Sequence, residues 1–599
     1  MGAIAGSWGQ LLSGTEVKQV ADSMTDRSPA GWEQQLLPEG FLMTGFKRGE
    51  VLEDRDRKLW SSGDEYLLCF TGRLDNGEEL QRELCQLGHE LNAPSQREIL
   101  LHAYAQWQEQ CAEKLQGAFS FALYSQRQQK LFLARDKLGG MPLFYRTEGA
   151  VFQFGSEIKT LLSFPGVRAE LTKEGAAQLV LFSPGRIPGS GVLKGIQELE
   201  PGCCLSFCRG RCSLRRYWQL RDDEHRENLE QTAEHILFLL QDSLKRLTWD
   251  QRDYGTLLSG GLDSSILTAL CALNMPGERL KTFSVDYRNN RENFVPGKYL
   301  PESDRDYIAE MTEAFSCRHY ETELSPEDLT AMLRKATRAR DLPGMGDVDF
   351  SLMAFAKQVS SRVPMVLSGE CADEIFGGYP WFRDPAIDLS QGFPWSGNAG
   401  MRAKLLAHPL PDAQQMLKDA CLDTCRSADI APGCLPEDRR MKQLTVLNQR
   451  WFMQTLLERN DRMTGLWGLD VRVPFCDDRL FQYVYRIPWE MKNYGGREKG
   501  LLRLAVKGLL PERIRLRKKS PYPKTFDPEY CRSMEKLLHL RKGKENPLWY
   551  LLSQNGVEDL LSADSQTLFY GQLMQKPQII AWILQIDYWL SHYRVEFCF

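Results

Sequence analysis

The sequence predicts a two-domain protein of α/β and α+β type: a strand-rich layered first domain, then a doubly wound parallel sheet with helical additions. Three observations lead there. The chain has 599 residues, too many for one hydrophobic core. Its first part consists of short apolar or alternating runs separated by Gly, Asn and Asp turns, whereas from Thr232 onward helical patterns alternate with short buried strands. Between the two lies the charged stretch Arg221 to Glu230, which is too short and helix-compatible to be a long flexible linker. Domains over 1–218 and 230–599 are therefore expected.

Taken in order, residues 65–70, 119–124 and 130–134 read as strands. Residues 97–107 read as a helix, with Ile99, Leu100 and Tyr104 on its apolar side. In the second part, 232–247 is an amphipathic helix, 254–258 a buried strand, 264–274 a helix and 281–285 the next strand. Residues 365–367 form a further strand, again followed by a Gly/Ser loop. Strand–helix alternation of this kind needs crossover connections, and hence a parallel sheet.

Composition excludes several classes. At 42% hydrophobic and 26% charged residues, the chain is neither disordered nor fibrous. A net charge of −4 leaves no basic footprint for nucleic acid, and the one basic run, Arg513 to Lys519, reads as a solvated face. No run approaches the roughly 18 apolar residues of a membrane span. The start MGAIAGSWGQ lacks a secretory pattern, so a cytoplasmic protein is expected. The 16 cysteines then read as reduced thiols. Cys203, Cys204, Cys208 and Cys212 alternate like two short strands and lack paired C-x2-C spacing, so they read as small strand residues rather than as a metal site.

The chemistry gathers in two loops. In Leu257-Leu258-Ser259-Gly260-Gly261-Leu262-Asp263-Ser264-Ser265 a strand runs through a tight Gly-Gly turn into a helix. Glycines let backbone approach a ligand, and a helix N-terminus with free N–H groups attracts phosphate. Asp263 would repel phosphate unless a cation lay between them, which implies Mg2+. The Gly-Lys-Ser/Thr ending of a Walker loop is absent. The second loop, Ser368-Gly369-Glu370-Cys371-Ala372-Asp373-Glu374-Ile375-Phe376-Gly377-Gly378-Tyr379, also follows a strand and carries three carboxylates. Alone, these would be helix caps; beside a phosphate loop on the same sheet, metal and acid–base roles gain weight.

The first loop resembles the PP-loop of ATP pyrophosphatases, and the combination resembles the asparagine synthetase family. Further marks are Val471-Arg472-Val473-Pro474-Phe475 with Asp477, and Glu498-Lys499-Gly500-Leu501-Leu502-Arg503. In the first third they are Gly117-Ala118-Phe119 to Tyr124, Ala134-Arg135-Asp136 and Gly155-Ser156-Glu157-Ile158-Lys159. The resemblance implies an αββα Ntn-hydrolase-like glutamine amidotransferase domain and a PP-loop ATP pyrophosphatase domain. It implies ATP and Mg2+ as cofactors, adenylation of a carboxylate with release of pyrophosphate, and displacement of AMP by a nitrogen nucleophile.

By the same resemblance, Leu258, Ser259, Gly260, Gly261, Asp263, Ser264, Ser265, Val285, Ser368 and Gly369 would bind the nucleotide. Asp263 and Asp373 would hold Mg2+, and Glu370, Lys499 and Asp263 would be catalytic. The run Arg513 to Lys519, read first as a solvated face, would in such an enzyme have the alternative of flanking the active-site mouth and helping with phosphates. Aspartate is the expected acid, ammonia or another amine the nucleophile, and a homodimer the expected assembly.

The departures matter as much. Glutamine-hydrolysing members begin Met-Cys-Gly-Ile, with the cysteine as nucleophile; here position 2 is Gly2. The family's Asn-Gly-Glu reads Thr71-Gly72-Arg73, its Ser-Asp pair reads Ser95-Gln96, and its Arg-Gly-Pro-Asp reads Arg27-Ser28-Pro29-Ala30. Arg73 reverses the charge, and Gln96 removes the partner of the substrate's ammonium. No cysteine within residues 1–60 could substitute. The expectation is a disabled glutaminase domain, with nitrogen coming from free ammonia, a separate glutaminase partner or an amine in the substrate. The alternatives are a macrolactam or other amide synthetase of the lasso-peptide cyclase kind, and a non-catalytic regulatory or binding paralogue.

Overall fold

The computed structural model describes residues 2–47, 52–250, 253–275, 279–294, 302–396, 399–410, 412–543, 545–562, 569–570 and 574–599. It divides into two compact units. The first comprises 1–175, 188–219 and 596–599; the second comprises 176–187 and 220–595. Residues 176–187 thus group with the second unit and the last four residues with the first, a division that no composition shift announces.

The first unit is built on two six-stranded antiparallel sheets. One contains Ala3–Trp8 between Val151–Gly155 and Gly40–Gly45. The other contains Gly117–Ser125 between Lys130–Arg135 and Asp64–Leu74. Alternation of side chains across the pleat explains the layering. Ala122, Tyr124, Leu131 and Leu133 pack with Ile4, Phe152 and Phe154 of the facing sheet. Their neighbours Phe119, Phe121, Leu123 and Phe132 point the other way, onto Leu100, Leu101 and Tyr104 of the helix Gln96–Trp107. The helices Gly14–Ser23 and Ile158–Leu162 bury Val17, Val20, Ile158 and Leu161. Phe164, just beyond the second, stacks on Phe41 of the first sheet. The layers run helix, sheet, sheet, helix.

Cys203 and Cys204 fall into place here: the first joins the core between the sheets, the second the helix-facing core. Among the described residues no group of three or more His, Cys, Asp or Glu could hold a metal by itself.

The second unit contains a five-stranded parallel sheet. Its strands run Arg318–Leu324, Lys281–Tyr287, Tyr254–Leu257, Met365–Leu367, Asp470–Arg472 across the sheet. The order grows outward in both directions from Tyr254–Leu257, so the switch point falls between it and Met365–Leu367. In a doubly wound sheet the crevice for ligands opens at the carboxyl ends of those two strands. The two loops singled out from the sequence follow them directly. Helices cover the sheet, among them Leu229–Thr248, Leu262–Leu273, Asp347–Ser360 and Met453–Gly465. None of the described helices is long and apolar enough to cross a membrane.

Candidate active site

The first loop turns at Gly260, whose φ of +67° is left-handed; a Cβ there would lie 2.5 Å from the Cβ of Tyr307. Only glycine meets both demands. Gly261 then caps the helix Leu262–Leu273 without a side-chain hydrogen bond, leaving N-terminal amides for an anion. The loop is braced by its serines: the Ser259 amide donates to Ser264 Oγ at 3.2 Å, and the Ser264 hydroxyl donates to the Gly261 carbonyl at 3.2 Å. The second loop closes on the first. A Cβ on Gly369 would come within 2.9 Å of the Ser264 nitrogen and 3.0 Å of the Asp263 Cβ.

A cavity of about 250 Å³ opens where the loops meet. Of the residues expected from sequence, Leu258, Ser259, Gly261, Asp263, Ser264, Val285, Ser368, Gly369, Glu370, Asp373 and Lys499 line it. Gly260 and Ser265 do not: the first makes the turn, and the second is fully buried, its amide donating to the Gly261 carbonyl.

Charge is concentrated at the phosphate-loop end. Lys499 Nζ lies 2.6 Å from a carboxylate oxygen of Asp263 and 2.6 Å from one of Asp373. Lys519 Nζ takes the other oxygen of Asp373 at 2.7 Å. Burial alone would raise Asp373, but Lys499 and Lys519 outweigh it and hold its carboxyl below the usual range. Asp263 is pushed upward by burial, with the Asp373 charge adding to the effect. Two carboxylates that reach one cation suit a divalent ion completed by phosphate oxygens and water, the donor set Mg2+ prefers.

The run Arg513 to Lys519, expected to be a solvated face, is corrected in part. Arg513 is exposed, but Arg517 and Lys519 line the cavity. Arg517 Nη1 donates to the Ser259 carbonyl at 3.0 Å, and its other nitrogen pairs with Asp304. So short a run has no periodicity that would separate its faces.

Away from the phosphate loop, Glu370 Oε1 accepts from Arg459 Nη2 at 2.5 Å. Arg459, Asp304 and Tyr522 went unnoticed in the sequence because they reach the cavity from distant segments. Cys371 adopts φ +71°, a left-handed value that favours glycine over a residue with a side chain.

The position-2 region of the first unit is different. The Gly2 carbonyl accepts from Thr71 Oγ1 at 2.8 Å and Arg27 Nε at 3.4 Å. A Cβ at Gly2 would lie 2.6 Å from the Gly45 carbonyl oxygen. Arg73 pairs with Asp75 at 2.6 Å. Gln96 binds both the amide and the carbonyl of Leu74, at 2.9 and 3.1 Å. The side chains of Thr71, Arg73 and Gln96 thus bond to the protein itself.

Comparison with known proteins gives each part of the chain a family. The asparagine synthase family model matches residues 235–591, and the glutamine amidotransferase domain model matches 1–218. Asparagine synthetase [glutamine-hydrolyzing] 3 of Bacillus subtilis is 39% identical over 97% of this chain and 97% of its own length. Asparagine synthetase [glutamine-hydrolyzing] 1 of the same organism is 28% identical over 85% of this chain and 83% of its own. The chain belongs to the asparagine synthetase family and is an enzyme of the carbon–nitrogen ligase type.

Proposed function

We propose that this enzyme makes asparagine from aspartate and ATP by way of a β-aspartyl-adenylate, with ammonia rather than its own glutamine-derived nitrogen as nucleophile. The observation that carries the reading is the convergence of both loops on one cavity, with Lys499 between Asp263 and Asp373 and with Glu370 on the same wall. The amides of the helix Leu262–Leu273 and the hydroxyls of Ser259 and Ser264 hold the β,γ-phosphates. Leu258 and Val285 border the adenine, and Ser368 and Gly369 the adenylate. Asp263 and Asp373 would hold Mg2+, which supplies charge neutralisation on the phosphates when bound. The aspartate side-chain carboxylate attacks the α-phosphorus and pyrophosphate departs, its charge met by Lys499 and Lys519. Ammonia then attacks the acyl carbon. Glu370 orients it and accepts a proton, and AMP leaves.

The nitrogen source is inferred from Gly2, Thr71, Arg73 and Gln96: position 2 offers no nucleophile and the neighbouring pocket groups are committed to the backbone or to Asp75. Ammonia reaches the enzyme from solution or from a partner's glutaminase. ATP–pyrophosphate exchange tests the synthetase half. Exchange that requires aspartate is expected; exchange with no dependence on aspartate overturns the reading.

A further inference from the structure

The helix Met453–Gly465 is unusual for its buried charge. It follows a π-helical turn, Asn448–Phe452, and carries Arg459, Asn460, Asp461 and Arg462 in succession, each 5% exposed or less. A π-turn shifts the helix face that follows it and is frequent at functional sites. Here Phe452, Leu456, Arg459 and Asn460, spaced four, seven and eight residues from the first, form one stripe along the cavity wall. Glu458 points elsewhere, to Arg186 at 2.7 Å and Arg340 at 3.6 Å, and does not compete for Arg459.

Arg459 pairs with the carboxylate of Glu370, and its guanidinium lies 5.1 Å from the Tyr522 ring centroid. Among the described residues, Arg459 Nε and Glu370 Oε2 have no hydrogen-bond partner. A buried ion pair contributes little net stability compared with apolar packing, so its presence on a cavity wall calls for another cause. Charge supplies one. At the phosphate end Lys499, Lys519 and Arg517 face Asp263, Asp373 and Asp304. On the stripe of the helix Met453–Gly465 the Arg459 guanidinium and the Glu370 carboxylate form the complement of an amino-acid zwitterion. The other two charged lining residues are taken up elsewhere, Glu374 by the Tyr379 hydroxyl and Arg503 by Glu498.

Building on the proposed function, we infer that Arg459, with Asn460 beside it, recognises the second carboxylate of the acid, the one that is not activated. The guanidinium fork suits a carboxylate in bidentate contact. Glu370 is left to face the substrate's ammonium and the incoming ammonia, and the ion pair between the two residues holds both in place before substrate arrives.

The test compares aspartate with β-alanine, the same acid without the second carboxylate, in ATP–pyrophosphate exchange by wild type, Arg459→Leu and Arg459→Lys. Wild type should favour aspartate by about 100-fold in kcat/KM, the size of a lost charge-assisted contact. Arg459→Leu should bring that ratio close to unity by raising KM for aspartate, with KM for ATP unchanged. Arg459→Lys, which keeps the charge without the fork, should fall between and guards against a fold defect in the leucine variant. Retained discrimination in Arg459→Leu overturns the inference, as does a loss confined to kcat, which would mean that Arg459 only orients Glu370. Wild-type exchange that ignores aspartate overturns the proposed function, and this inference with it.

Discussion

The position-2 region and the phosphate-loop cavity are both rich in polar side chains, but they use them in opposite ways. Around Gly2, Thr71 and Arg27 bind the Gly2 carbonyl, Gln96 binds Leu74 twice, and Arg73 pairs with Asp75. Around the cavity, opposed charges line open volume, and among the described residues Arg459 Nε and Glu370 Oε2 lack hydrogen-bond partners. Buried polar groups must be satisfied, so a site that waits for a ligand leaves satisfaction to that ligand, while a region without one satisfies its own groups. On the proposed function, the second unit holds a site ready and the first has one filled in.

The largest effect expected from this contrast is at Lys499. Lys499→Ala removes the cation between Asp263 and Asp373 and should lower aspartate-dependent pyrophosphate exchange by about 1,000-fold or more. An effect below tenfold would detach Lys499 from the reacting phosphates. At the filled-in site, Gly2→Cys should yield no glutaminase activity, because its Cβ meets the Gly45 carbonyl and the pocket groups stay committed. Overpacking there should also lower stability by about 1–3 kcal/mol, measurable by denaturant unfolding. Glutamate release from glutamine by this single variant would show that only the nucleophile had been lost.

The smallest expected effect concerns pH. Burial, with His89 beside it, pulls His102 down from 6.5 to about 4. The unfolded chain therefore binds a proton more readily between those values, and stability is lost as pH falls from 6.5 toward 4. The half-exposed ring limits the contribution to about 1 kcal/mol. His102→Gln should flatten that part of the pH–stability profile of the first unit, with pyrophosphate exchange at neutral pH unchanged.

Much of this was legible in the sequence. The strand–loop–helix at 254–273 is local, and its glycines and serines sit where the turn geometry needs them. Gly2, Thr71, Arg73 and Gln96 were legible as departures from the resembling family, although their partners in the fold were not. Arg459 was not legible: it meets Glu370 across 89 residues, and its stretch Leu456-Leu457-Glu458-Arg459-Asn460 reads as an ordinary amphipathic helix. Arg517 and Lys519 were hidden among exposed neighbours of the same charge. Nor could the grouping of residues 176–187 with the second unit be read locally, since Arg402 from 219 residues away binds the Ser183 carbonyl.

The most direct test is asparagine formation by the intact chain from aspartate and MgATP, with either ammonium or glutamine as the nitrogen source. Synthesis and AMP release with ammonium, and none above background with glutamine, are predicted. Glutamine-driven synthesis at the ammonium rate would contradict the contrast between a ready cavity and a filled-in one.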